Sequence, residues 1–212
     1  MVMERERLNL ELTCLMTFGE RVKCFSDDER KENSVTSKLI KAAEQSNTNI
    51  LPTDQGFMLW KYFETKPFKE LRISQVFLQN FALNFIEKRA HEKGSLLDHY
   101  MLNPNISKKD IIGTSVDLLL GGVHTTAFTE GALLHYISKN QHVQELMYEE
   151  AKKVFPNVDD DITADILNTK IPYTRAVLKE TFRLNPVSIG IGRILNHDTV
   201  LSGFLVPKNV NS

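Results

Sequence analysis

Three pairs of side chains in this sequence have the types and spacing to do chemistry. His124 and Thr125 are adjacent, just after Gly121-Gly122-Val123, inside a long apolar stretch. A hydroxyl beside an imidazole can relay protons near neutral pH, and paired glycines let another group come close to the backbone. Small residues in a helix also serve plain close packing, so this segment alone leaves both readings open. Glu180 and Arg183 stand at i and i+3 and share a helix face. Exposed pairs of that type are common and contribute little by themselves. Arg175 and Lys179, at i and i+4, put two cations on one helix face, which suits either an acidic partner or a solvated surface.

Other candidates are weaker. Cys14 and Cys24 are ten residues apart, with neither a CxxC motif nor a disulfide framework, and read as two reduced, partly buried thiols. A reducing compartment fits them. Asp159-Asp160-Asp161 reads as a solvated turn rather than a metal site. His91, His99, His124, His135, His142 and His197 include no HxxxH pair, so no metal site of histidines is expected. A net charge of -1 without blocks of basic residues argues against a nucleic-acid partner. Met1 to Arg7 is charged and lacks an apolar core, so no targeting segment is visible. Ile111 to Ile137 is the most apolar stretch, but it carries Asp117, His124, Glu130 and His135. Such groups are costly in lipid, so it is expected to be a buried helix of a soluble fold, not a transmembrane one.

The elements that must position these residues are mostly helical, because apolar residues recur with a period near 3.6. Leu8 to Phe25 has Leu8, Leu12, Leu15, Met16 and Val22 on one side. Ser34 to Gln45 reads as a shorter helix, and Asn47 to Phe57, with Pro52 and Gly56, as a loop. Phe68 to Glu92 reads as an amphipathic helix with a stripe of Ile73, Val76, Phe77, Phe81, Phe85 and Ile86. Its last turn holds Glu87, Lys88, Arg89 and Lys93, with Gly94 as its cap.

Ser95 to Met101 is expected to be a short helix, and Ser107 with Asp110 approximates a capping box. From there a helix can run from Lys108 to Lys139, roughly thirty residues and about 45 Å. Gly121-Gly122 in its interior costs about 1 kcal/mol per glycine relative to alanine. Either something approaches the backbone there or the helix distorts. Gln141 to Phe155, Thr163 to Leu167 and Pro172 to Leu184 complete the helices. Beyond Pro186 the pattern turns to strands. A hairpin is expected about Asn196-His197-Asp198, between Arg193-Ile194-Leu195 and Thr199-Val200-Leu201, with Ser202 to Pro207 as further strand. No Gly/Ser/Pro-rich linker divides the chain, so residues 1–212 are expected to form a single domain.

In this order, Gly121-Gly122-Val123-His124-Thr125-Thr126 and Glu180-Thr181-Phe182-Arg183 resemble the distal-helix and Glu-x-x-Arg motifs of the cytochrome P-450 family. The run Tyr173 to Pro186 is similar to the family's K helix. The resemblance extends from about Leu8 to Lys208 and implies a mainly α, partial P-450 fold, from the E helix through the first sheet, with a small β-hairpin near the C-terminus. It implies that Gly121, Gly122, His124 and Thr125 face the oxygen side of a haem. Glu180 and Arg183 would hold the haem-side core together, and Arg193 would contact a propionate, for which a bidentate guanidinium is well suited. Val187 to Gly192 would line the substrate.

The family's reaction inserts one oxygen atom of O2 into an apolar substrate. Leu59 to Lys66, and Asp110-Ile111-Ile112 leading into Asp117 to Gly122, resemble mitochondrial members. There Arg175 and Lys179 would dock an acidic ferredoxin, on the matrix side of the inner membrane. Phe182 to Leu195 is similar to steroid C22-hydroxylases of arthropod ecdysteroid synthesis.

The chain departs from the family pattern in three ways. His124 stands where an acid is usual, which leaves open both a relay and a tolerated substitution. No cysteine follows Cys24, so the axial haem ligand and its loop are absent from this chain. The family's N-terminal sheet and early haem-contacting helix are absent too. The resemblance therefore implies a fragment without activity of its own. The alternative is a non-catalytic helical interaction module on the same scaffold.

Overall fold

A computed structural model describes residues 2–54, 58–88, 94–188 and 193–209. Its contacts gather into two compact units, Met1–His135 and Tyr136–Ser212. Among the described residues the fold is mainly helical, with one small antiparallel hairpin.

The first unit is built from α1 (Val2–Phe18), α2 (Val35–Asp54), α3 (Lys66–Lys88), α4 (Leu96–Met101), α5 (Lys108–Gly122) and the start of α6 (His124–Lys139). α2 packs along α3, and α5 lies against both α1 and α3. Leu10, Cys14 and Phe18 from α1, Leu39 from α2, Leu78 and Ala82 from α3, and Leu119 and Val123 form the buried core. Each fully buried leucine contributes about 2 kcal/mol. Phe18 stacks on Phe85, with ring centroids 4.6 Å apart, and meets Phe81 edge-on at 6.0 Å.

Local signals hold where they are strong. Ser107 Oγ accepts from the Asp110 amide at 3.2 Å while Asp110 Oδ2 accepts from the Ser107 amide at 3.3 Å, closing the capping box. Ser95 and Asp98 form a second such box ahead of α4. The long helix from Lys108 to Lys139 does break. α5 ends at Gly122, Val123 has φ -84° and ψ -68°, and α6 begins at His124. Taken together, α5 and α6 are long and apolar enough to cross a membrane by length and composition alone. A third of their most apolar window is buried within the protein.

The packing corrects several expectations. The stripe Leu8, Leu12, Leu15 and Met16 is exposed, and α1 instead buries Arg7, Asn9, Glu11, Thr13 and Thr17 along with Leu10 and Cys14. Val22 lies beyond the end of this helix. On α3, Ile73 and Val76 are exposed while Leu78, Ala82 and Ile86 are buried. α2 continues through Pro52 to Asp54, where a loop was expected. Proline near a helix end disturbs only the final turn. Residues 55–57, and 89–93 with Arg89 and Lys93 of the expected last turn, lie outside the described residues. Gly94 has φ +136°, a conformation that suits only glycine.

The second unit holds the end of α6, then α7 (Gln141–Val154), α8 (Ala164–Thr169), α9 (Pro172–Leu184), β1 (Thr199–Leu201) and β2 (Phe204–Val206). α7 packs on α9. The hairpin turns at Ser202-Gly203, not at Asn196-His197-Asp198. Val200 pairs with Leu205, and Ser202 and Gly203 have φ +50° and +86°. Two positive φ values are what a tight two-residue hairpin turn requires. The earlier segment bends at Asn196-His197 and runs on beside the chain end, where the Asn209 amide donates to the Leu195 carbonyl at 2.7 Å.

Candidate functional site

The two glycines before the break face different surroundings. A Cβ built on Gly122 would lie 2.4 Å from Thr13 Oγ1 and 2.9 Å from its Cγ2, so Gly122 exists to admit α1. Gly131 serves the same contact further along, where a Cβ would lie 2.7 Å from an Arg5 guanidinium nitrogen. Between them Asn9 Nδ2 donates to Glu130 Oε2 at 2.9 Å. α1 and α6 thus meet along a polar seam. Gly121 meets nothing within 4 Å and is exposed. Thr125, one turn on, is half-buried and donates its hydroxyl to the Gly121 carbonyl. Phe128 follows on the same face, 48% exposed. A planar group can therefore approach the backbone at Gly121 beside the Thr125 hydroxyl.

His124 does not share that open face. Its Nδ1 lies 3.1 Å from Glu6 Oε1 of α1, and its Nε2 lies 3.1 Å from the Ile40 carbonyl oxygen of α2. The two side chains are 18% and 15% exposed. The partners are 118 and 84 residues away, which no local pattern reveals.

In the second unit, Glu180 and Arg183 make a bidentate pair on α9, with Nε to Oε2 at 2.8 Å and Nη2 to Oε1 at 2.6 Å. Hydrogen bonding to Arg183 holds the Glu180 carboxyl below its ordinary pKa and raises that of Arg183. Both side chains are more than half exposed. Glu180 also stands at a groove of about 420 Å³ lined by Tyr136, Ile137, Val143, Val177 and Leu184. Arg175 and Lys179 are exposed on α9, with the Arg175 guanidinium donating to the Asn168 carbonyl. Arg193 is exposed on the segment that leads to β1. Of the expected substrate-lining stretch, Val187 is 41% exposed and residues 189–192 lie outside the described residues.

A residue with no sequence signal fixes α9. Glu150 of α7 accepts the Tyr173 and Thr174 amides, each at 2.8 Å, at the α9 N-terminus. Partial burial pushes its pKa up, but the bonds from Thr174 and Tyr173 outweigh it and the net shift is downward.

The sequence profile of the family described as Cytochrome P450 matches residues 5–211. This chain belongs to the cytochrome P450 family. It is 45% identical over 205 residues to Cytochrome P450 302a1, mitochondrial, of Drosophila melanogaster, covering 95% of this chain and 42% of that protein. It is 32% identical over 193 residues to Probable cytochrome P450 12a5, mitochondrial, of Drosophila melanogaster, covering 84% of this chain and 35% of that protein. Cytochrome P450 27C1 of Aquarana catesbeiana is 28% identical over 217 residues, 95% of this chain and 39% of its own length. The chain thus spans well under half the length of these curated relatives.

The cofactor of the P450 family is haem, and the residues here fit it on one side only. The open backbone at Gly121 and the Thr125 hydroxyl beside it suit a flat group. The cysteines do not suit the iron. Cys14 and Cys24 are both fully buried in the core of the first unit. Burial drives the Cys14 thiol well above its ordinary range, with Cys24 and Glu11 adding to the effect. Burial and Glu11 push Cys24 to about 12. Neither is a thiolate at neutral pH.

Proposed function

We propose that the whole protein is a haem-thiolate monooxygenase of the mitochondrial class. It inserts one oxygen atom of O2 into a steroid or similar apolar substrate and takes its electrons from a ferredoxin on the matrix side of the inner membrane. The single observation that carries this reading is the open face of the broken helix, Gly121 and Thr125 beside one another, in a chain matched along nearly its whole length by the P450 profile. The two compact units are read as parts of one P450 domain. Relatives at 45% and 32% identity that are named mitochondrial support the class. The likeness of Phe182 to Leu195 to arthropod steroid C22-hydroxylases supports the substrate.

In this reading thiolate-bound haem supplies the activation of O2. Thr125 presents its hydroxyl to the oxygen side, Gly121 admits the flat ring, and Gly122 seats the helix on α1. Arg193 holds a propionate, the Glu180–Arg183 pair braces the end of α9, and Arg175 with Lys179 meets the acidic ferredoxin. By itself the 212-residue chain carries no monooxygenase activity, because both of its thiols are sequestered in the core.

Product analysis tests the proposal. The full-length protein is incubated with a mitochondrial-type ferredoxin, its reductase, NADPH and a panel of sterols. A ferredoxin-dependent hydroxylated sterol is the expected result. A protein with intact thiolate-ligated haem that turns over no sterol in the panel would overturn the substrate reading.

A further inference from the structure

We propose that Glu6 and His124 form a positioning pair that fixes the break between α5 and α6 and thereby the place of the Thr125 hydroxyl. Each of the two ring nitrogens has a partner. Nδ1 faces the Glu6 carboxylate and Nε2 faces the Ile40 carbonyl, each at 3.1 Å. Both ring nitrogens are thus engaged by partners on two other helices. Neither nitrogen bonds to Thr125, whose hydroxyl instead donates to the Gly121 carbonyl. The imidazole is therefore a clamp rather than a relay.

Its place in the fold says what it clamps. His124 is the first residue of α6, directly after the distorted Val123. Through its ring the start of α6 is tied to α1 by a largely buried contact with the Glu6 carboxyl and to α2 by a main-chain oxygen. Two residues earlier Thr13 fills the space at Gly122, and six residues later Asn9 holds Glu130. The break is thus pinned on both sides, and Thr125 is the next residue along. A partly buried pair of this kind is coupled, so removing one partner strands the other.

The pairing is independent of any cofactor, whereas its effect on Thr125 rests on the haem-site reading above. The test therefore has two arms. In the first, amide hydrogen exchange of Thr125, Thr126 and Ala127 is measured in the 212-residue chain as Glu6→Gln, His124→Asn, the double substitution, and the exchanged pair Glu6→His with His124→Glu. The expected result is exchange about tenfold faster in each single variant, no further gain in the double, and recovery in the exchanged pair. Additive single effects, or unchanged exchange in both singles, would overturn the pairing. If the singles unfold the first unit outright, recovery of the fold by the exchanged pair supports it and continued unfolding overturns it.

In the second arm, peroxide released per substrate oxidised is compared for Glu6→Gln and Thr125→Ala in the full-length protein. The same rise in both, reversed for Glu6→Gln by the exchanged pair, is expected. Faster exchange with unchanged peroxide release would overturn the positioning of Thr125 while leaving the pair itself in place.

Discussion

Thr13 occupies the space that any side chain on Gly122 would need, with its Oγ1 only 2.4 Å from where a Cβ would stand. Threonine is short and branched at Cβ, so it cannot swing clear as a long side chain would. Gly122→Ala is expected to destabilise the chain by about 1–2 kcal/mol, as overpacking exceeds the helix-propensity gain of about 1 kcal/mol. Gly121→Ala meets no atom and is expected to stabilise by up to about 1 kcal/mol. Urea midpoints of the two variants check the contrast. Equal shifts would contradict the assignment of the two glycines to different faces.

Arg7 is 1% exposed and held mainly by neutral oxygens. Its guanidinium donates to the carbonyls of Glu29 at 2.5 Å, Cys24 at 3.3 Å and Arg30 at 3.3 Å, and to Thr36 Oγ1 at 3.1 Å and Ser37 Oγ at 2.8 Å. A lysine offers a single nitrogen and cannot span these partners. Arg7→Lys is expected to cost about 2–3 kcal/mol, and Arg7→Met more, because the stranded carbonyls lose their donor. Thermal unfolding measures it, with loosening expected first between Lys23 and Ser37.

Sequence reading reached the parts of this fold whose causes are local. Ser107 with Asp110, Ser95, Thr163 and Pro172 mark helix starts because each cap acts within one turn of its own residue. It failed on α1, where Leu8, Leu12, Leu15 and Met16 form a good apolar stripe that points outward. One packing face carries the smaller apolar set Leu10, Cys14 and Phe18, and beside it runs a polar seam, where Asn9, Thr13 and Arg5 meet Glu130, Gly122 and Gly131, which no periodicity of apolar residues announces. The hairpin turn was placed too early because Asn196-His197-Asp198 has turn-forming residues, while Ser202-Gly203 has the conformation that closes the ladder. Of the site, the motif residues were legible, but the partners of His124 were not. Glu6 and Ile40 are joined to it only by the tertiary fold.

Glu150 sets a pH dependence on the second unit. Its pKa is lowered in the folded state, so the stability it gives is present above the ordinary carboxylate range and is lost as pH falls through the lowered value. Glu150→Gln is expected to cost about 1 kcal/mol or less at pH 7, since solvent screens the site. The variant should lose stability less steeply than the parent between about pH 5 and 3. Parallel acid-unfolding curves would contradict the role of Glu150 as the α9 cap.

Arg175 and Lys179 share an exposed face of α9. In the full-length protein, Arg175→Glu with Lys179→Glu is expected to reduce ferredoxin-supported turnover at least tenfold, with the wild-type rate falling as salt rises. Peroxide-supported turnover should persist, since it needs no protein partner. An equal fall in both would place the damage in the fold rather than the docking surface.

The distal face has no thiolate of its own, and the carbon-monoxide difference spectrum reads that directly. The 212-residue chain, mixed with haem and reduced, is expected to lack the band of thiolate-ligated haem. The full-length protein is expected to show it, and to keep it when Cys14→Ser and Cys24→Ser are introduced together. A full-occupancy thiolate band from the short chain, abolished by either serine substitution, would contradict the account.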